Sequence, residues 1–385
     1  MSMKIGIIGA GHAGVEAAKA ARENRAEVTL FSNETVVPYY RPRLVALAFG
    51  QAEFSAIQIK PLEWYAQQAI ALRLAAEIAS LDPLHHRVST AQGTESFDGL
   101  IMAIGSNPVL PPFVKDGGGF IWPLWNVQHA EAIRSRVGKG KRLVIVGGGI
   151  LGIEAALHGV EAGMNVTIVE LMSRLMPAQF GTRASCALLR GLEERGIRVV
   201  LGHGIASAKP GPTSVTLGLD KGEPLEADLC LVSIGARPDK SLATLAGLAC
   251  ERGVLVDEFL QTPAPHCYAA GDMIQFEGVT RCSMKESAAQ GKLAGLNLMA
   301  SLQGRGGQVY NPETVPLTFR SKNFEIYAIG AVSASGTEEQ ILDGSTETLI
   351  RALVLKDGVP VGVQMIGTRE GFDSYAAEVK KAGKM

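Results

Sequence analysis

The chain has 385 residues, of which 46% are hydrophobic and 19% charged, with 37 basic side chains against 38 acidic ones. This length predicts two or three domains, and the apolar content is enough for sizeable cores. The near-zero balance, a net charge of −1, argues against a nucleic-acid-coating surface, an acidic tail and a disordered chain.

The first element begins at once. MSMKIGIIGAG enters a strand pattern with no apolar leader region ahead of it, so no signal peptide is expected. No run of 18 apolar residues follows anywhere, so no membrane span is expected and the cytoplasm is the predicted location. Residues 3–34 read as a short apolar run, then G-x-G-x-x-G at Gly9, Gly11 and Gly14, then a helical stretch, then a second apolar run. Residues 98–108, DGLIMAIGSNP, form an apolar strand stopped by a glycine and a proline.

At residues 141–172 the opening pattern returns, offset by 138. Gly147, Gly149 and Gly152 fall on the first three glycines, Glu154 on Glu16, and Val166-Thr167 on Val28-Thr29. Each copy has the strand–turn–helix–strand order of a dinucleotide fold. The first glycine permits a tight turn, the second lets backbone approach a pyrophosphate, and the third packs helix on strand. The helix N-terminus then offers N–H groups to the phosphates. A lone motif of this kind is weak evidence, whereas two in one register are not.

Glu170 ends the second strand of the second copy, 23 residues after Gly147. An acid there accepts from a ribose 2′-hydroxyl and repels a 2′-phosphate, which favours NADH over NADPH. Arg174 is a counter-signal. The same register in the first copy lands on Ser32, with Asn33 and Glu34 following as alternative ribose ligands.

Residues 228–238, DLCLVSIGARP, repeat the strand-ending glycine turn at Gly235. Tyr268–Ala270 then form a short apolar strand ending at Gly271-Asp272, which places an acid where it can accept from a polyol hydroxyl or simply close a turn. A helix is predicted from about Ser283, and GRGGQ after it reads as a linker. The last 78 residues alternate apolar runs with turns, with a hairpin signal at Asp357-Gly358 and a closing amphipathic helix from Phe372 to about Lys381. The five cysteines, Cys186, Cys230, Cys250, Cys267 and Cys282, show no C-x-x-C and no zinc spacing, so they read as ordinary thiols and no metal site is expected.

With these segments in order, the sequence resembles the FAD-dependent pyridine nucleotide-disulfide oxidoreductase superfamily across about residues 3–304. The resemblance implies an α/β, glutathione-reductase-like fold: two Rossmann-like three-layer dinucleotide-binding domains and a small α+β C-terminal domain. The implied boundaries are 1–112 and 241–304 for FAD, 113–240 for NADH, and 308–385 for the last domain. By the same resemblance Gly9, Gly11, His12, Ala13 and Gly14 bind FAD. Ser32, Asn33, Glu34, Ile78, Ala103, Ile104, Gly105, Gly271, Asp272 and Ser287 join them, with Asp272 on the ribityl chain. Gly147, Gly149, Ile150, Leu151, Gly152, Glu170 and Gly235 would bind NADH.

YYRPRL at 39–44 and EWY at 63–65 narrow the resemblance to NADH:rubredoxin and related small-carrier reductases, and to nitrite reductase flavoproteins. Arg41 and Arg43 would lie against the FAD. Glu154, where relatives place a glutamate near the nicotinamide, and Arg43 would serve the reaction itself. The cysteine pair of the disulfide reductases is missing, since no cysteine precedes Cys186. The implied function is therefore transfer from NADH through FAD to a small redox protein, rubredoxin or ferredoxin, by a monomer or homodimer that binds neither nucleic acid nor membrane. Rival readings are an NADH oxidase or nitrite-reductase component, and a signalling flavoprotein that responds to NADH.

Overall fold

Both copies of the repeat fold alike because their apolar runs pair in one register. In the computed structural model, which describes residues 2–322, 324–332 and 336–382, Lys4 to Ile8 pair with Glu27 to Phe31. Arg142 to Val146 pair with Asn165 to Val169, each residue 138 further on.

In chain order the framework is β1 (Lys4–Ile8), α1 (His12–Glu23), β2 (Glu27–Phe31), β3 (Ile70–Arg73), β4 (Gly99–Met102), β5 (Ile121–Pro123), β6 (Arg142–Val146), α2 (Ile150–Glu161), β7 (Asn165–Glu170), α3 (Thr182–Glu193), β8 (Arg198–Leu201), β9 (Leu229–Val232), β10 (Cys267–Ala269) and α4 (Met284–Leu302). It is followed by β11 (Leu317–Ser321), β12 (Phe324–Gly330), β13 (Thr337–Ile341), β14 (Ile350–Lys356), β15 (Val359–Ile366) and α5 (Phe372–Ala382).

The chain divides into two compact units, residues 1–40, 54–107 and 236–313 in the first and 41–53, 108–235 and 314–385 in the second. The first is built on a parallel sheet of order β10-β4-β1-β2-β3. Its strands are buried on both faces, as the unbroken burial of Gly99–Met102 and Cys267–Ala269 requires of a sheet covered by helices. A three-stranded antiparallel sheet, from 78–82, 87–90 and 93–96, is inserted between β3 and β4. Helices α1 and α4 meet backbone to backbone. A Cβ on Gly291 would stand 2.0 Å from the Ala13 carbonyl oxygen, and one on Gly295 2.7 Å from that of Ala17. Small residues at these crossing points are what let α4 lie so close to the first glycine turn.

The second unit repeats the plan with a parallel sheet of order β8-β7-β6-β9-β5 and its own antiparallel insertion, from 205–210, 215–219 and 225–227. It also contains the antiparallel sheet β11-β12-β15-β14-β13. The expected hairpin joins β14 to β15, with Asp357 and Gly358 at φ +51° and +77°, the left-handed pair that a tight two-residue turn demands. Helix α5 covers this sheet through Phe372, Ala376 and Val379, packed with Tyr327, Val363 and Met365. Among the described residues no helix is long and apolar enough to cross a membrane.

The GRGGQ stretch is not a slack tether. The Asn297 side chain accepts from the Gln308 N–H at 2.7 Å and donates to its carbonyl at 2.8 Å. Tyr310, two residues on, is buried. The glycines here give close approach: a Cβ on Gly307 would sit 3.0 Å from the Phe259 ring.

Candidate cofactor sites

In each copy the three glycines meet three different steric demands. Gly9 and Gly147 adopt φ +102° and +108°, and a Cβ on either would lie 2.3 or 2.2 Å from a neighbouring carbonyl oxygen, of Ala103 or Ser233. Gly14 and Gly152 press on the first glycine of their own turn, with the Cβ position 1.9 and 2.1 Å from its carbonyl oxygen. Around the middle glycines, Gly11 and Gly149, a Cβ would meet nothing within 4 Å. The space beside these two is therefore kept free of protein atoms. Each is the N-cap of its helix, extended and without a side-chain cap. The first-turn N–H groups of α1 and α2 are thus directed at an open cradle of the kind a dinucleotide pyrophosphate fills. His12 and Ala13 open α1, the His12 ring 4.8 Å from that of Tyr40. Ile150 and Leu151 open α2 and are half-buried.

The strand ends distinguish the copies. In the second unit Glu170 accepts from the Gly148 N–H at 2.7 Å and from the Met172 N–H at 2.8 Å. These two bonds fix its carboxylate at the rim of the glycine turn. Arg174 turns toward its own loop, with Nη2 3.5 Å from the Pro177 carbonyl. In the first unit buried Ser32 accepts from the Glu34 N–H at 3.2 Å, Glu34 accepts from the Tyr39 hydroxyl at 2.6 Å, and Asn33 is exposed. The Ser32 and Glu34 carbonyls take the N–H groups of Ala76 and Ala75, which brings the segment leading to Ile78 alongside.

The remaining residues of the first site gather at the other strand ends. Ala103 donates to the Ile8 carbonyl at 2.7 Å, continuing β4 into the turn of Ile104 and Gly105, the latter at φ +80°. Gly235 occupies the matching turn of the second unit at φ +101°. Asp272 accepts from the Ser287 hydroxyl at 2.7 Å and from the Ser106 hydroxyl at 3.1 Å, both serines being buried. The carboxylate is thus held by α4 on one side and by the chain after β4 on the other.

Sequence reasoning missed the polar chain behind it. The Gly271 N–H donates to Gln290 Oε1 at 2.8 Å, Gln290 Nε2 donates to the Tyr310 hydroxyl at 2.8 Å, and that hydroxyl donates to Glu286 Oε1 at 2.5 Å. Arg281 lies 3.5 Å from the same oxygen. Burial holds the Tyr310 hydroxyl well above the ordinary phenol range, with the Glu286 hydrogen bond acting in the same direction. The readable signal was the i, i+4 pair Glu286 and Gln290 on the helix face that also carries buried Ala294.

Arg41 and Arg43 belong to the second unit. Both are exposed, and Arg41 donates to the Trp125 carbonyl at 2.6 Å with its guanidinium 5.6 Å from the Trp125 ring. Glu154, one turn into α2, is half-buried, and burial pushes its carboxyl up to about 7. None of the five cysteines is disulfide-bonded. Cys282 is an exposed residue whose thiol is pushed up to about 11 by partial desolvation and by the Asp272 carboxylate, and Cys267 is pushed to about 11 chiefly by burial. Neither supplies a thiolate at neutral pH. Replacing all five cysteines is therefore expected to leave NADH-driven flavin reduction intact apart from folding losses. A selective loss in Cys282→Ser, with flavin still bound, would reveal a redox thiol.

The chain is similar to known proteins in both sequence and fold. The family model described as pyridine nucleotide-disulphide oxidoreductase matches residues 3–292. Terpredoxin reductase from Pseudomonas sp is 34% identical over 277 residues, 70% of this chain and 66% of that protein. Rubredoxin-NAD(+) reductase from Pseudomonas putida is 34% identical over 276 residues, covering 70% and 71%. Among solved structures, the covalent putidaredoxin reductase–putidaredoxin complex superposes with a TM-score of 0.87 at 22% identity, covering 98% of this chain and 93% of that one.

Proposed function

Because the chain belongs to the pyridine nucleotide-disulphide oxidoreductase family and is an FAD- and NADH-dependent oxidoreductase, we propose that it carries electrons from NADH to a small redox protein, rubredoxin or ferredoxin, in the cytoplasm, as a monomer or homodimer. The observation that carries this reading is the pair of open glycine cradles with different partners, Glu170 beside one and Asp272 in the unit of the other. The first unit holds FAD and the second holds NADH. Bound FAD supplies the exchange between a two-electron donor and a one-electron acceptor. The names of the relatives, reductases of terpredoxin and of rubredoxin, support a protein carrier as that acceptor. No cysteine precedes Cys186, so no dithiol relay stands in the segment where disulfide reductases carry one.

The protein's own residues bind and orient. The N-termini of α1 and α2 hold the two pyrophosphates against open backbone at Gly11 and Gly149. Asp272, oriented by Ser106 and Ser287, accepts from the flavin polyol chain. Ser32, Asn33 and Glu34 serve the ribose on the FAD side, with Ile78, Ala103, Ile104, Gly105, Gly271 and Ser287 lining the same site. On the NADH side Ile150, Leu151, Gly152 and Gly235 complete the wall. Glu154, with Arg43, serves the reacting end of the nicotinamide.

The direct test is release and chromatography of the chromophore, which is expected to give one FAD per chain. FMN, or no flavin after reconstitution, would overturn the assignment. Glu170 predicts the nucleotide. NADH is expected to exceed NADPH in kcat/KM, and Glu170→Gln to narrow the preference. Equal efficiencies in the unaltered enzyme would mean that the carboxylate does not discriminate.

A further inference from the structure

Within the second unit, Glu154, His158 and Glu161 stand at i, i+4 and i+7 along one face of α2. All three open into one cavity of about 530 Å³ that also takes in Gln51, Phe319, Arg320, Ser321 and Lys322. The cavity is partly open to solvent, large enough for several waters, and polar enough to hold them. The row runs from just behind the NADH glycine turn outward. Glu154 is half-buried, the His158 side chain is 18% exposed, and that of Glu161 is 44% exposed.

His158 is placed as an intermediate. Its Nδ1 is shielded and makes no hydrogen bond, and Glu161 Oε2 lies 3.6 Å away. The ring is stacked on Phe49 with centroids 6.0 Å apart, which fixes its plane. Gln51 in turn donates to Glu161 at 2.8 Å. The other charged groups facing the row are Arg320 and Lys322, and Arg320 is paired with Glu325 at 3.0 Å. Burial pushes the Glu154 carboxyl up to about 7 and holds the His158 imidazole below its ordinary value. A carboxyl poised near neutral pH can both take up and release a proton there.

The proposed reaction must release a proton. One NADH and two oxidised one-electron carriers give NAD⁺, two reduced carriers and one H⁺. We propose that Glu154, His158 and Glu161, with the water of their cavity, form the path by which this proton reaches solvent. His158 acts through Glu154 and positions the transfer; it touches no reacting atom. The inference rests on the electron-transfer reading above, but not on the identity of the carrier.

The test uses the FAD-loaded enzyme, NADH and ferricyanide as a one-electron acceptor, with a pH-indicator dye recording proton release beside flavin absorbance in a stopped-flow instrument. His158→Gln is expected to leave the NADH-driven flavin bleaching at its normal rate and to slow proton release on the order of tenfold or more, with added imidazole restoring it. Proton release in the unaltered enzyme should quicken as pH rises through about 7, where Glu154 becomes an ionised acceptor, and this step should vanish in Glu154→Gln. Glu161→Gln, at the exposed end, gives a milder version and guards against a folding defect in His158→Gln. Unchanged proton release in His158→Gln and Glu161→Gln, or slowing that imidazole does not relieve, overturns the path. Absence of flavin bleaching in the unaltered enzyme refutes the electron-transfer reading itself, and the path with it.

Discussion

Asp272→Ala is expected to weaken FAD binding by about 10- to 150-fold, the equivalent of one charge-assisted hydrogen bond. The carboxylate is tethered by Ser287 at 2.7 Å and by Ser106 at 3.1 Å, so its position is set before ligand arrives. Its removal also leaves two buried hydroxyls without their acceptor, a further cost to the loaded form and to the fold. Asp272→Asn keeps one acceptor oxygen and should fall between the two. Flavin dissociation followed by fluorescence, with a thermal melt of each apo-protein, separates ligand loss from destabilisation. An Asp272→Ala protein that holds FAD as tightly as the parent would make the aspartate a turn residue only.

The second large effect separates two glycines three residues apart. Gly152→Ala puts a methyl 2.1 Å from the Gly147 carbonyl oxygen, so α2 must move off its turn. Overpacking of this kind costs roughly 1–3 kcal/mol, and more where backbone is the obstacle. Gly149→Ala meets nothing within 4 Å, so stability should hold to within about 0.5 kcal/mol while NADH affinity falls, because the methyl enters the cradle. FAD content should survive in Gly149→Ala. Melting curves and NADH titrations of both variants check the contrast. Normal NADH binding by Gly149→Ala would show that the open space is not where the pyrophosphate lies.

The repeat was legible because strand pairing obeys it residue by residue. Lys4 meets Glu27 as Arg142 meets Asn165, and the glycine spacing follows from the same turn built twice. Glu170 was legible as an acid at the end of a strand, and Asp272 as an acid just past one. What escaped was long-range. The three-residue strands β5 and β10 are too short to carry a period, yet each finishes a parallel sheet from far away in the chain. Tyr310 falls by sequence in the C-terminal segment, because nothing local announces that Gln290 and Glu286 wrap its hydroxyl. Arg41 and Arg43 belong to a local motif, whereas Arg41 packs on Trp125, 84 positions away. Ser106 carries no local signal, and its role appears only once α4 brings Ser287 to the same carboxylate.

Electron flow to a carrier is read most directly by anaerobic rapid mixing, in which the FAD-loaded protein is mixed with NADH and then with oxidised rubredoxin or ferredoxin, beside a matched run with oxygen. The prediction is fast loss of flavin absorbance on NADH addition, followed by carrier reduction much faster than oxygen consumption. Oxygen consumption outrunning both carriers would contradict it and make the protein an oxidase, and a long-lived NADH complex with slow turnover to every acceptor would contradict it in favour of a signalling role.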